Sequence, residues 1–219
     1  RQCDNIVEEI EFFLSCLEKV RDDFRQLRAK FTGKVAAQEL ALFDVYLQML
    51  DDAALGEEIV RRIKQQQWAQ GAVSSVIMEH VKTFEVMDDP YLRERAIDVK
   101  DLGVRILTYL QKSAVALKEF PPQTILVSEE LTASMLGEVP RENLVGIVSL
   151  KGSSNSHAAI LARSMGVPAV VGLQGIPSKK LDQQALIVDG YSGFVIANCT
   201  ESTRKRYQEI YDEETLISK

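Results

Sequence analysis

Histidine and cysteine are scarce in this sequence, with two and three residues respectively. Cys3, Cys16 and Cys199 form no CxxC pair and stand at no metal-ligand spacing. That pattern excludes a zinc module and a disulfide scaffold. Cys16 sits among apolar helical residues and is expected to be a buried thiol. Long apolar runs are missing too, with nothing near the ~18 residues a membrane helix needs, and no secretory leader is seen. Scattered cysteines without a leader point to a cytoplasmic protein. An excess of basic charge is also absent: 26 Lys and Arg against 32 Asp and Glu leave a net charge of −6. That argues against nucleic acid, whose binders present a basic face, and suits a partner that presents one. No internal repeat or low-complexity segment occurs. The chain opens at Arg1 rather than methionine, so a longer parent polypeptide is expected.

What is present divides into two rhythms. A length of 219 residues suits two small domains. Over the first 118 residues the period is helical. Ile6, Ile10, Phe13, Leu17, Val20, Phe24 and Leu27 recur at spacings of four and three, which places them on one helix face. Gly33 follows as a helix stop. Leu40, Phe43, Leu47 and Leu50 resume the stripe, and Ile59 and Ile63 continue it. Val73, Val76, Ile77 and Phe84 mark a further helix. Leu92, Ala96, Val99, Gly103, Ile106 and Leu110 mark the last, with Pro90 at its start. Four or five such helices make a bundle whose stripes are core. His80 lies within one of them without a second His or Cys to share a metal, and reads as structural.

Phe120-Pro121-Pro122 ends that rhythm. Short apolar runs follow at 124–127, 144–148, 169–171, 186–188 and 194–196, each the length of a strand. Helical patterns lie between them at 130–136 and 157–166. Asp189-Gly190-Tyr191-Ser192-Gly193 reads as a hairpin connection. The predicted class is therefore α+β: a helical bundle over 1–118, a small α/β domain over 119–200, and the start of a linker helix over 201–219.

The segment Gly152-Ser153-Ser154-Asn155-Ser156-His157 leaves the strand at 144–149 and enters a helix. Glycine permits the tight turn, and Asn155 and Ser156 are N-cap types. His157 then falls in the first helical turn, where amide N–H groups and the helix dipole favour an anion. An imidazole that is mostly neutral near pH 7 is a competent nucleophile. A phosphoryl group on His157 would sit in that field, with the Ser156 hydroxyl able to donate to it. From spacing alone, a loop histidine that caps or packs stays open as the alternative.

The run Gly-x-x-x-Ser-His-x-x-Ile-x-Ala-Arg from Gly152 to Arg163, followed by Gly166-Val167-Pro168-Ala169-Val170-Val171-Gly172, is similar to a known signature. It is the phosphorylation-site signature of the phosphoenolpyruvate-utilising enzymes: enzyme I, phosphoenolpyruvate synthase and pyruvate phosphate dikinase. Many members carry Gly-Gly at the start, where this chain has Gly152-Ser153. The serine-rich stretch resembles the nitrogen-related branch of enzyme I more than the sugar branch. A second segment, Met87 to Gly103, resembles the enzyme I helical domain, which synthase and dikinase lack ahead of their phosphohistidine domain.

The resemblance implies a bundle that docks the small carrier protein HPr, then a swivelling phosphohistidine domain. It implies an active His157, with Thr132 of Leu131-Thr132 orienting the ring or capping the helix that follows, or both. Arg163 matches the signature, as a phosphate contact or as half of a structural ion pair, and Asp189-Gly190 matches a turn. The candidate docking face is roughly 38–62, where Asp44, Asp51, Asp52, Glu57 and Glu58 supply negative charge, although Ala53 and Ala54 replace acidic positions of the sugar branch. No cofactor is expected in this chain. Magnesium and phosphoenolpyruvate belong to a C-terminal domain of the family, the second expected partner, so phosphoenolpyruvate alone should leave this chain unmodified. A Pro-Gly-containing strand that opens this region in the family is not found, so an edge strand is expected to be missing. A monomer is expected. The alternatives are the swivelling domain of a synthase or dikinase, and a regulatory module whose histidine is idle.

Overall fold

The computed structural model describes residues 5–51, 53–111 and 119–217. Packing divides the chain into two units: Arg1–Glu119 with Thr132–Glu138, and Phe120–Leu131 with Val139–Lys219.

The first unit is a helical bundle. Helix α1 spans Ile6–Phe31, opened by Asn5, whose side chain accepts from the Glu8 amide at 3.3 Å. It closes at Thr32, followed by Gly33 at φ +76° in the left-handed conformation a stop requires. Its buried face, Phe13, Leu17, Val20, Phe24 and Leu27, carries the predicted period, and Cys16 lies buried beside it. Helices α2 (Ala37–Asp51), α3 (Ala53–Lys64), α4 (Ala69–Glu85) and α5 (Pro90–Leu110) complete the set. Pro90 opens α5, where its missing N–H costs nothing.

The α2 stripe differs from expectation. Leu42, Phe43, Tyr46 and Leu50 are buried, whereas Leu40 and Leu47 are half-buried. The reason is Tyr46. Its ring stacks on Phe24 at 4.5 Å, and its hydroxyl donates to Asp98 on α5 at 3.0 Å. A polar tip that finds a buried acceptor makes tyrosine a core residue. Gly103 lets α5 approach α4: a Cβ there would stand 2.6 Å from Ile77 Cγ2.

A short helix, α6 (Ala133–Glu138), belongs by packing to this unit although the strands before and after it do not. The expected α/β domain ran unbroken from 119 to 200; the packing instead assigns Thr132–Glu138 to the bundle. Gly137 explains the fit, because a Cβ there would lie 1.9 Å from Leu27 Cδ2 of α1. Lys30 of α1 donates to the Gly137 carbonyl at 3.1 Å, and Ser134 donates to Asp101 of α5 at 2.6 Å.

The second unit holds a parallel sheet, β1 (Thr124–Glu130), β2 (Leu144–Lys151) and β3 (Ala169–Val171), in that order. Ser128, Ser149 and Val171 share one register level. Helix α7 (His157–Ser164) joins β2 to β3. An antiparallel hairpin, β4 (Leu186–Asp189) and β5 (Phe194–Ala197), follows, and then helix α8 (Glu201–Ile217). Arg141 braces the sheet. Its guanidinium donates to the carbonyl of Met165, just past α7, at 2.7 Å and to that of Leu144 in β2 at 3.3 Å. No described helix is long and apolar enough to cross a membrane.

Candidate functional site

The carboxyl ends of β2 and β3 are where a parallel sheet offers a site. Both strands break there at glycines in the left-handed region, Gly152 at φ +102° and Gly172 at φ +80°. Between Gly152 and α7 the backbone is tied to itself. Ser153 Oγ accepts from the Asn155 amide at 3.1 Å, and the Ser153 carbonyl accepts from the Ser156 amide at 3.1 Å. Ser156 is the N-cap of α7, in extended backbone, and its Oγ accepts from the Ala159 amide at 3.2 Å. His157 is thus the first residue of the helix, and it is half-buried. A helix start is a position where first-turn amides and the helix dipole favour a bound anion. Ser156 is buried and already accepts a bond, but a hydroxyl that accepts retains its proton to donate.

The remaining candidates are distributed differently. Arg163 occupies the last turn of α7, where a cation complements the helix dipole, and it is exposed. It makes no ion pair among the described residues. Thr132 packs with the bundle and caps α6, its Oγ1 accepting from the Met135 amide at 3.4 Å. It also lies 3.4 Å from Ser134 Oγ. Asp189 does the work of a turn residue: its carboxylate accepts from the Tyr191 and Ser192 amides at 3.0 and 2.9 Å, and from the Tyr207 hydroxyl at 3.1 Å.

The acidic face of the bundle carries compensating cations. Arg28 forks onto Asp44 at 2.7 and 3.3 Å. Arg21 lies 2.8 Å from Asp51. Glu58 is held by Arg62 at 2.9 Å and Arg61 at 3.4 Å, with His80 Nε2 3.8 Å away. Glu57 is exposed and has no ion pair among the described residues. Asp52 lies outside the described residues, as do the side chains of Ala53 and Ala54. His80, half-buried on α4, stands beside this paired carboxylate.

Two family models match, described as PEP-utilising enzyme, N-terminal, over residues 1–95, and PEP-utilising enzyme, mobile domain, over 120–193. A solved structure, the N-terminal domain of enzyme I–nitrogen, is 32% identical, covering 97% of this chain and 87% of its own, with a TM-score of 0.65. This chain belongs to the enzyme I family.

Among curated relatives, a phosphoenolpyruvate-dependent phosphotransferase system protein of Escherichia coli (strain K12) is 35% identical over 96% of this chain and 28% of its own length. A phosphoenolpyruvate-protein phosphotransferase of Staphylococcus aureus is 31% identical over 92% of this chain and 36% of its own. The chain thus spans about a third of the curated relatives it matches. In this enzyme I chain, sequence reasoning missed the buried Asp98 and Asp101 and the brace at Arg141. Little local marks them, since the Tyr46, Ser134 and Met165 partners of Asp98, Asp101 and Arg141 come from elsewhere in the chain.

Proposed function

We propose that this chain is the phosphoryl-carrying and carrier-docking part of an enzyme I, a phosphoenolpyruvate-protein phosphotransferase. The observation that supports it most is the position of His157, first in α7 behind the Ser156 cap, at the carboxyl end of β2. In this reading His157 takes the phosphoryl group that originates on phosphoenolpyruvate and passes it to an HPr-type carrier. In exchange with a carrier phosphorylated on an imidazole, a neutral imidazole nitrogen of His157 attacks phosphorus as the bond to the carrier's nitrogen breaks, and the carrier's imidazole leaves with its electron pair. The return step is the same event reversed. First-turn amides of α7 and the Ser156 hydroxyl stabilise the phosphoryl oxygens.

The partners in this reading are an HPr-type carrier, met by the bundle, and a C-terminal domain that binds phosphoenolpyruvate. The described residues contain no group of three His, Cys, Asp or Glu that could hold a metal. In this reading magnesium belongs with the additional length that the relatives possess. The setting proposed is the cytoplasm.

The test is incubation with phosphorylated HPr followed by mass analysis at neutral and acid pH. The wild type should gain one acid-labile phosphate, His80→Ala should gain it equally, and His157→Ala should gain none. Acid-labile phosphate on His157→Ala would overturn the assignment.

A further inference from the structure

Ser149 is fully buried near the end of β2, level with Ser128 and Val171. Its hydroxyl donates to the carbonyl of Lys151, the last residue of β2, at 2.7 Å. Its own carbonyl accepts from two successive amides past the end of β3, Gly172 at 2.9 Å and Leu173 at 3.1 Å. Two adjacent N–H groups can converge on one oxygen because Gly172 is left-handed. Gly152 turns off the other strand just beyond Lys151, and a Cβ there would lie 3.7 Å from Val171 Cγ1.

One residue therefore fixes the points at which both strands leave the sheet. We propose that Ser149 is a positioning residue for phosphoryl transfer, holding the Lys151–Gly152 turn so that α7 starts with His157 in register. This rests on the reading of His157 as the phosphoryl carrier. A run of hydrogen bonds carries the constraint forward, from Ser149 to Lys151, within Ser153–Ser156, and from Ser156 to Ala159. Without the hydroxyl, the Lys151 carbonyl loses a partner at the point where strand pairing ends. Small displacements of a reacting group are costly, roughly a hundredfold in rate for about 1 Å.

Ser128 supplies an internal comparison. It is the same residue type one strand away, also buried, and its hydroxyl has no hydrogen-bond partner among the described residues. Removing it deletes the same atom and no bond.

The test compares Ser149→Thr with Ser149→Val, two side chains of one shape that differ by the hydroxyl, alongside Ser128→Ala. Two quantities are read on the 219-residue chain: kcat and KM for transfer from phosphorylated HPr, and the imidazole nitrogen resonances of His157 during a pH titration. The expected result is that Thr and Ser128→Ala match the wild type. Val should lose roughly tenfold to a hundredfold in kcat with KM unchanged, and its His157 resonances should move. Equal kcat and equal resonances in Thr and Val would overturn the proposal. A wild type that accepts no phosphate, while the resonances still separate Thr from Val, would overturn the phosphoryl reading and leave the positioning role standing.

Discussion

Ser134 on α6 donates its hydroxyl to Asp101 on α5 at 2.6 Å, and both side chains are buried. A carboxylate in such a place is tolerated because it is bonded. Burial nonetheless pushes the Asp101 carboxyl above its ordinary range, against the opposing pull of Ser134, Arg105 and Thr132. Ser134→Ala leaves that carboxyl short of a donor and is expected to cost about 1–3 kcal/mol, measured by urea unfolding of the chain.

The raised value also sets a pH dependence. The folded state holds the Asp101 proton more tightly than the unfolded chain does. Its contribution is therefore greatest below the unfolded carboxyl range and is lost as pH rises through the folded value. Asp101→Asn keeps an acceptor for Ser134 and removes the titration. Its melting temperature relative to wild type should rise between about pH 4 and pH 8. A difference that does not change over that range would show that Asp101 does not titrate in this way.

Gly137→Ala tests how α6 seats on α1. The new methyl would meet Leu27 Cδ2 at 1.9 Å, so the buried Leu27 must change rotamer. The expected loss is about 1–3 kcal/mol. Pairing it with Leu27→Ala, which opens the space, should recover part of that loss relative to the sum of the single variants. Strict additivity in the double variant would place the methyl elsewhere.

These two contacts also show where sequence reading stops. The α1 stripe was legible because Phe13, Leu17, Val20, Phe24 and Leu27 repeat at the period of one helix. The start of α7 was legible because Gly152, Asn155 and Ser156 announce a turn and a cap immediately before His157. Tyr46, Asp98 and Asp101 were not, because polar residues ordinarily face water and their burial depends on partners from other helices. The bundle's hold on α6 was hidden for a related reason: it follows from a missing Cβ at Gly137 and from Leu27, far away in the chain. The expected acidic face was read from one side only, since Arg21 and Arg28 lie on α1.

Asp189 behaves in the opposite sense to Asp101. The Ser192 amide first, and then the Ser192 and Tyr207 hydroxyls and the Tyr191 amide, hold its carboxyl below the ordinary range. Its stabilising contribution is present above the unfolded carboxyl range and is lost as pH falls through the depressed folded value. Asp189→Asn should therefore speed amide exchange at Tyr191 and Ser192 at neutral pH and have less effect in acid. Equal protection in both proteins at neutral pH would mean that the turn does not depend on the charge.

Energy source separates carrying a phosphoryl group from charging it. Taking the group from phosphoenolpyruvate requires a metal and cations that place the donor in line, and positioning supplies most of phosphoryl-transfer catalysis. His157 stands at a helix start suited to holding the product group. In the proposed reading a phosphorylated HPr brings its group already activated on nitrogen, so that exchange needs only docking and alignment. The chain is therefore expected to exchange phosphate reversibly with phosphorylated HPr, and to stay unmodified with phosphoenolpyruvate and magnesium alone. Supplying the C-terminal region of a relative as a separate polypeptide should restore part of the charging. Mass analysis of the three incubations decides it: stoichiometric phosphate on the isolated chain from phosphoenolpyruvate alone would place a donor site within these 219 residues.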